Sequence, residues 1–311
     1  MKKLVVVALG GNALLREGEK ATVSTYIRNL SVACRSICDI IEMGYRVVIT
    51  HGNGPQVGNI YLQQEMSRSE IPPMPLDVCG AMSQGMIGYL IQNTLENELM
   101  RRGIDIKVYV ILTRVLVDKE DPAFTNPTKP IGPFYNEKEK EKLKEKGWIL
   151  KKQPNGLWRR VVPSPDPQSI LEIDCIKKLL EIQCIIVAVG GGGVPVTLER
   201  GTLHGIEGVV DKDLSSEILA SEINADILLI LTNVDYVYLN YGSMNQIPIR
   251  KIHLQKLKEL YMKGIFPPGS MGPKILSAIR FIEKGGKRAI ITSIENAAEA
   301  ILGNRGTQIF P

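Results

Sequence analysis

Tyr45-Arg46-Val47-Val48-Ile49-Thr50-His51-Gly52-Asn53-Gly54-Pro55-Gln56-Val57-Gly58 joins three kinds of local structure in one short stretch. Tyr45 to Ile49 is an apolar run that reads as a buried strand. Gly52 and Gly54 lack the Cβ that keeps a backbone from turning sharply or approaching a ligand closely. Pro55 suits the first position of a helix, where its missing N–H leaves nothing unpaired. Strand, glycine turn and helix start together make an anion site, because the first amides of a helix have no internal partner. Any α/β protein can contain one such turn. The reading depends on whether others converge with it.

Two others follow apolar strands. Residues 3–9 end in Gly10-Gly11-Asn12, and Cys184 to Val189 end in Gly190-Gly191-Gly192-Gly193-Val194-Pro195. Between the first two strands, Ile27, Leu30, Cys34, Ile37 and Ile41 step by three and four, the mark of an amphipathic helix over 22–43 that Gly44 ends. Strand, long helix and strand in that order imply a right-handed crossover and parallel pairing. A helix over about 82–102 and a strand over 107–113 come next. Later elements expected are a helix near 170–180, short antiparallel strands within 195–210, and a helix from Asp211-Lys212-Asp213 to about 223. After these come a strand over 226–232, a helix beginning in Gly269-Ser270-Met271-Gly272-Pro273-Lys274, a last strand over 289–292 and a last helix over 294–302. In a parallel sheet the three glycine turns share one edge, where α/β proteins bind ligands.

Residues from Asp118 to about 167 break this rhythm with proline and charge, and read as an insertion projecting from the sheet. Spacing alone leaves open whether it is a lid or a surface excursion that solubilises or dimerises. It also explains the net charge of +5: from Glu137 to Arg160 nine Lys or Arg face four Glu, and the rest of the chain is neutral. Alternating Glu and Lys marks a solvated helix face, so nucleic acid is not an expected partner.

At 311 residues, 44% hydrophobic and 23% charged, the chain has the length and balance of an ordinary globular protein. Cys34, Cys38, Cys79, Cys175 and Cys184 are scattered without metal spacing and read as reduced thiols of a cytoplasmic protein. Lys2-Lys3 precedes an apolar run too short for a signal peptide, and no segment approaches the roughly 20 apolar residues of a membrane helix.

Other nucleotide fingerprints fail. No GxGxxG follows the first strand, Pro195 spoils the match at Gly190, and no GxxxxGK[ST] loop is present. His51 has no carboxylate near it in sequence to orient a general base, and it reads as a structural histidine. Three lysines stand in rigid or helix-starting settings: Lys129 before Pro130, Lys212 between two aspartates, and Lys274 after Gly272-Pro273. A lysine at a helix start adds its charge to amides already facing an anion. Phosphoryl transfer needs amide cradles and fixed cations, and no enzymic nucleophile.

Ala8-Leu9-Gly10-Gly11-Asn12-Ala13-Leu14, His51 to Gly58, Pro127-Thr128-Lys129-Pro130-Ile131-Gly132-Pro133-Phe134-Tyr135, Arg159-Arg160-Val161-Val162-Pro163-Ser164-Pro165, Gly190 to Pro195, Asp211-Lys212-Asp213 and Gly269 to Lys274 together resemble the carbamate kinases, a branch of the amino acid kinase family. The resemblance runs from residue 4 to the C-terminus in the same order. It implies an α/β fold, an open αβα sandwich on a mainly parallel sheet, usually a homodimer. It also implies an N-terminal lobe (1–208) for carbamate or carbamoyl phosphate, a C-terminal lobe (209–311) for ATP or ADP, and Mg2+. By the same resemblance Gly10, Gly11, Asn12, Gly52, Asn53 and Gly54 hold the transferring phosphoryl. Lys212 and Lys274 neutralise its charge, Asp213 orients those lysines, and Lys129 reaches in from the insertion. Thr232, Val237, Tyr241, Met271 and Gly272 border the nucleotide, with no protein residue assigned to the metal.

Two departures from the wider family matter. Acetylglutamate and aspartate kinases carry a lysine two residues before the first Gly-Gly, where this chain has Ala8. Carbamate kinases share that absence, with Lys129 supplying the charge. Asn233 stands where many relatives have Asp. The alternatives are another small-acid kinase of the same fold and a nucleotide sensor without turnover.

Overall fold

The computed structural model of the chain describes residues 2–16, 18–153 and 155–311, and everything in them except the side chain of Asn12. It opens on β1 (Leu4–Leu9), α1 (Val23–Glu42) and β2 (Arg46–His51). Helices α2 (Gly54–Met66) and α3 (Leu76–Arg101) lead to β3 (Lys107–Val110) and β4 (Arg114–Val117). The insertion holds β5 (Lys129–Tyr135), α4 (Glu137–Glu145), β6 (Leu150–Lys152) and β7 (Trp158–Val162). Next are β8 (Pro167–Ile170), α5 (Ile173–Leu179), β9 (Cys184–Val187), β10 (Val194–Glu199) and β11 (Thr202–Gly205). The remainder comprises α6 (Lys212–Glu222), β12 (Ile227–Thr232), β13 (Val237–Leu239), β14 (Ile247–Ile249), β15 (Lys251–His253) and α7 (Leu254–Met262). It closes with α8 (Met271–Glu283), β16 (Arg288–Ser293), α9 (Ala297–Ile301) and β17 (Thr307–Phe310).

Among the described residues the main sheet has eight strands in the order β15-β17-β16-β12-β1-β2-β9-β3. β1 pairs in parallel with both β2 and β12, Val5 lying opposite Val47 and Ile227. Alternation along β1 serves two layers at once. Val5, Val7 and Leu9 pack with Leu30 and Ile37 of α1 and Ile87 and Ile91 of α3. Val6 and Ala8 pack on the other face with Leu219 of α6 and Ile275 and Ala278 of α8. A strand covered on both faces has no polar side to offer, which is why residues 4–9 read as one apolar run. The sandwich expected from the resemblance is the fold observed, and the one sheet runs through both halves of the chain.

The insertion is built on its own sheet, β5-β7-β6, and β4 and β8 join β10 and β11 in a further sheet. Its Glu/Lys segment is the helix α4, capped by Asn136, whose side chain accepts from the Lys138 and Glu139 amides while Glu139 reaches back.

Three boundaries and the last strand differ from the sequence reading. α3 begins at Leu76 instead of about 82, directly after Pro75 at its N-cap. The expected strand over 107–113 stops at Val110, because Gln84 holds both the amide (3.0 Å) and the carbonyl (2.9 Å) of Thr113, and the chain enters the second sheet at Arg114. The strand expected to run to Val189 ends at Val187, and Val189 turns with φ 53°. The last strand is β17, antiparallel to β16. Its pattern is hidden because Thr307 and Gln308 are buried through hydrogen bonds to Ile249 and Ala300 carbonyls.

Ile37, fully buried between α1 and the sheet, tests this core. Ile37→Ala should cost about 2–5 kcal/mol, the range for emptying a packed site that cannot collapse. Urea unfolding at constant slope measures it.

Candidate active site

The ends of β12, β1, β2 and β9 lie side by side, so the three glycine turns meet. The Gly52 amide donates to the Leu9 carbonyl at 3.1 Å, joining the turn after β2 to the end of β1. Gly191 has φ +65°, and a Cβ there would lie 2.1 Å from the Asn53 amide nitrogen. Only glycine lets these two turns approach this closely. Asn53 is itself buried, and its side-chain amide donates to Ser83 of α3 at 2.8 Å. The long helix thus fixes the residue that opens α2.

These turns border a cavity of about 280 Å3. Gly10, Gly11, Gly52, Asn53 and Gly54 line one side, and Lys212, Asp213, Gly269, Ser270 and Lys274 the other. Lys129 enters from the insertion. The backbone of Asn12 belongs to the turn after β1, and its side chain lies outside the described residues. Among the described residues no side-chain oxygen caps α2, so its first amides are left for a ligand at the cavity, whereas in α8 the Gly272 amide already donates to the Pro267 carbonyl at 2.8 Å.

Asp213 organises the charges. Its two carboxylate oxygens take one lysine each, Lys212 at 2.7 Å and Lys274 at 2.8 Å. Burial works against its charge, but the two ammonium groups outweigh this and hold the carboxyl well below the usual carboxylate range. Burial lowers the Lys212 ammonium from its ordinary value, with Asp213 pulling against it. Burial also opposes the charge on Lys274, yet Asp213 leaves that ammonium raised above its ordinary value. Lys212 Nζ donates to the Ala8 carbonyl at 3.0 Å as well, which brings an ammonium group to the end of β1. Lys129 Nζ meets Asp211 Oδ2 at 2.5 Å, while Asp211 Oδ1 caps α6 at the Asp213 amide. Three lysines against two aspartates leave the lining positive before the helix ends are added.

A second cavity of about 210 Å3 opens beside the first, and Ser270 and Lys274 line both. Thr232, Asn233, Tyr236, Tyr238, Tyr241 and Met271 border it. Val237 is placed elsewhere: its side chain is buried in the core, and the strand alternation of β13 presents Tyr236 and Tyr238 to the cavity instead. Gly272 is buried in the first turn of α8, against the Pro267 carbonyl. The resemblance gave the stretch from Thr232 to Tyr241 to the nucleotide without singling out Tyr236 and Tyr238, although their period of two was visible. It gave Asp211 no role, and nothing local in sequence marks it as the partner of Lys129.

The sequence pattern of the amino acid kinase family matches residues 3–293. The chain belongs to the amino acid kinase family. Within this family, a carbamate kinase of Pyrococcus horikoshii is 53% identical over 100% of both chains. Carbamate kinase 2 of Staphylococcus aureus (strain MRSA252) is 47% identical over 99% of both. Among solved structures, carbamate kinase from Giardia lamblia bound to AMP-PNP superposes with a TM-score of 0.91 at 42% identity, covering 99% of this chain and 98% of that one. UMP kinase from Bacillus anthracis, at 17% identity and a TM-score of 0.56, shares the fold.

His51 stands at the end of β2 in this amino acid kinase without exposure to the cavity. Burial, opposed by its contact with the Gly52 carbonyl (3.1 Å) and helped by Lys212, pushes its pKa down from 6.5 to about 4. The ring is neutral at neutral pH. The unfolded chain takes up this proton near 6.5 and the folded chain only near 4. Stability should therefore fall as pH drops through that window, by up to about 3 kcal/mol. Urea midpoints between pH 7 and 4 should fall less steeply in His51→Asn than in the parent protein.

Proposed function

We propose that this amino acid kinase works as a carbamate kinase, moving a phosphoryl group reversibly between ATP and carbamate, with ADP and carbamoyl phosphate as the other pair. The enzyme is a phosphotransferase with a carboxyl group as acceptor. One observation carries the reading: three ammonium groups and the uncapped start of α2 converge on a cavity that opens into a second, tyrosine-lined one. Full-length relatives named carbamate kinase, at 53% and 47% identity, support the choice of substrate.

In this reading the nucleotide lies in the tyrosine-lined cavity and its terminal phosphate crosses at Ser270 and Lys274. A carbamate oxygen attacks the γ-phosphorus while the bond to the bridging oxygen breaks, and that oxygen leaves with ADP. No enzymic nucleophile is needed. Charge builds on the equatorial and leaving oxygens, and fixed donors stabilise it most where water is excluded. Lys212 and Lys274, held by Asp213, supply two such donors, and Lys129 a third. Gly10, Gly11, Asn12, Gly52, Asn53 and Gly54 cradle the carbamoyl and phosphoryl groups. Among the described residues no group of three His, Cys, Asp or Glu is placed to hold a metal. Mg2+ would be held by the nucleotide phosphates and water, its usual mode in such sites, and would neutralise phosphate charge.

Residues 1–208 supply the carbamate side and 209–311 the nucleotide side. No helix among the described residues is long and apolar enough to cross a membrane, and the five cysteines are unpaired, which fits a cytoplasmic enzyme. A homodimer is supported by Val23, Ile27, Tyr89 and Met100, apolar side chains exposed together along α1 and α3 beside a groove. Light scattering should give twice the 34.4 kDa chain mass, and a monomer would refute the dimer.

ATP formation from ADP and carbamoyl phosphate is the assay, and no turnover with Mg2+ present would sink the proposal. Lys129→Ala, Lys212→Ala and Lys274→Ala should each lower kcat by roughly 10²–10³-fold, the loss seen when one preorganised donor is removed. A Lys129→Ala enzyme of normal activity would confine the insertion to a structural role.

A further inference from the structure

α2 opens with the phosphate-side turn and runs beside β5, which opens with Lys129. The two elements touch backbone to backbone: a Cβ on Gly58 would lie 2.0 Å from the Gly132 nitrogen. A small apolar core seals the seam, with Val57 and Ile60 of α2 against Ile131 and Val162 of the insertion. Across this seam Arg160 of β7 makes an unusual contact. Its guanidinium carbon sits 4.0 Å from the ring centre of Tyr61 on α2 and 4.6 Å from that of Trp148 in the insertion. Trp148 meets Tyr61 and Tyr135 edge-on, each at 6.2 Å. Arg160 Nη1 is buried and has no hydrogen-bond partner among the described residues.

A guanidinium gripped by aromatic faces holds through its planar shape and weak hydration, which an ammonium cannot copy. The contact also lies close to the chemistry. Arg160 pairs with Ile131 across the ladder, two residues along β5 from Lys129, which itself pairs with Val162. A shift of the arginine moves the ladder, and the ladder carries Lys129.

We propose that Arg160, clasped between Tyr61 and Trp148, is a positioning residue that fixes Lys129 at its distance from the Gly52–Gly54 turn. The stack is the joint between the insertion and the phosphate side of the cavity. This inference rests on the kinase reading above, and Arg160 acts through Lys129, without touching substrate.

Steady-state kinetics of ATP formation test it in Arg160→Ala, Lys129→Ala and the double variant. Arg160→Ala should lower kcat about 10–100-fold, the scale of a small misplacement of a catalytic group. The KM for ADP should stay within about twofold, because the nucleotide cavity is lined by residues from Thr232 onward. Added to Lys129→Ala, the same substitution should change kcat by less than about twofold, since the group it positions is already gone. Independent, multiplying losses would overturn the proposal. Arg160→Lys should stay well below the parent kcat, and full recovery by lysine would overturn the stacking role. Should Arg160→Ala not fold, Tyr61→Leu removes one aromatic face with the charge kept, and the same kcat-without-KM pattern is required of it.

A second measurement does not depend on turnover. The two tryptophans, Trp148 and Trp158, both lie in the insertion, so a Trp158→Phe background leaves Trp148 as the sole reporter. Arg160→Ala should shift its emission to the red as the indole loses its cover. Unchanged emission would refute the stack. An inactive parent protein with that shift intact would instead count against the kinase reading alone.

Discussion

One buried carboxylate with a lysine on each oxygen is the contact on which the site depends. Two ammonium groups crowded into a small cavity repel each other, and each loses hydration on entering it. Asp213 offsets both effects, with Lys212 at 2.7 Å and Lys274 at 2.8 Å. A buried ion pair of this kind adds little net stability, because desolvation consumes most of the attraction. What it gives is two cations held in place at the cavity wall. The three residues come from the first turns of α6 and α8, which pack on the same face of the sheet. The ion pair therefore also sets how the two helices approach.

The other half of the cavity is governed by closeness. Gly191 against Asn53 and Gly58 against Gly132 are approaches that any Cβ would prevent. The first brings the turns after β2 and β9 together. The second lets the insertion lie flat along α2, so a segment that interrupts the α/β order in sequence becomes a wall of the site. Lys129 reaches the cavity because of that contact, and Asp211 meets it there.

The cavity lies where the central parallel strands end, as the topology of such sheets requires. At that edge the Ala8 carbonyl takes Lys212, and Lys129 arrives from the insertion.

The sequence by itself determined the central strands, α1 and the glycine turns. Each rests on local pattern: apolar runs for strands buried on both faces, a three-and-four step for a helix with one buried face, and glycine where the backbone turns. It also marked Lys129, Lys212 and Lys274 as lysines in helix-starting or proline-bounded settings. Tertiary structure alone decided that Asp213 serves two lysines, that Asp211 meets Lys129, and that Tyr236 and Tyr238 rather than Val237 face the second cavity. It also placed β17, whose Thr307 hydroxyl and Gln308 amide nitrogen are buried donating to carbonyls and leave no hydrophobic signature. Local pattern records how a residue meets its own helix or strand. Charge pairs, close approaches and satisfied polar groups depend on residues far away in the chain, and the fold alone brings those together.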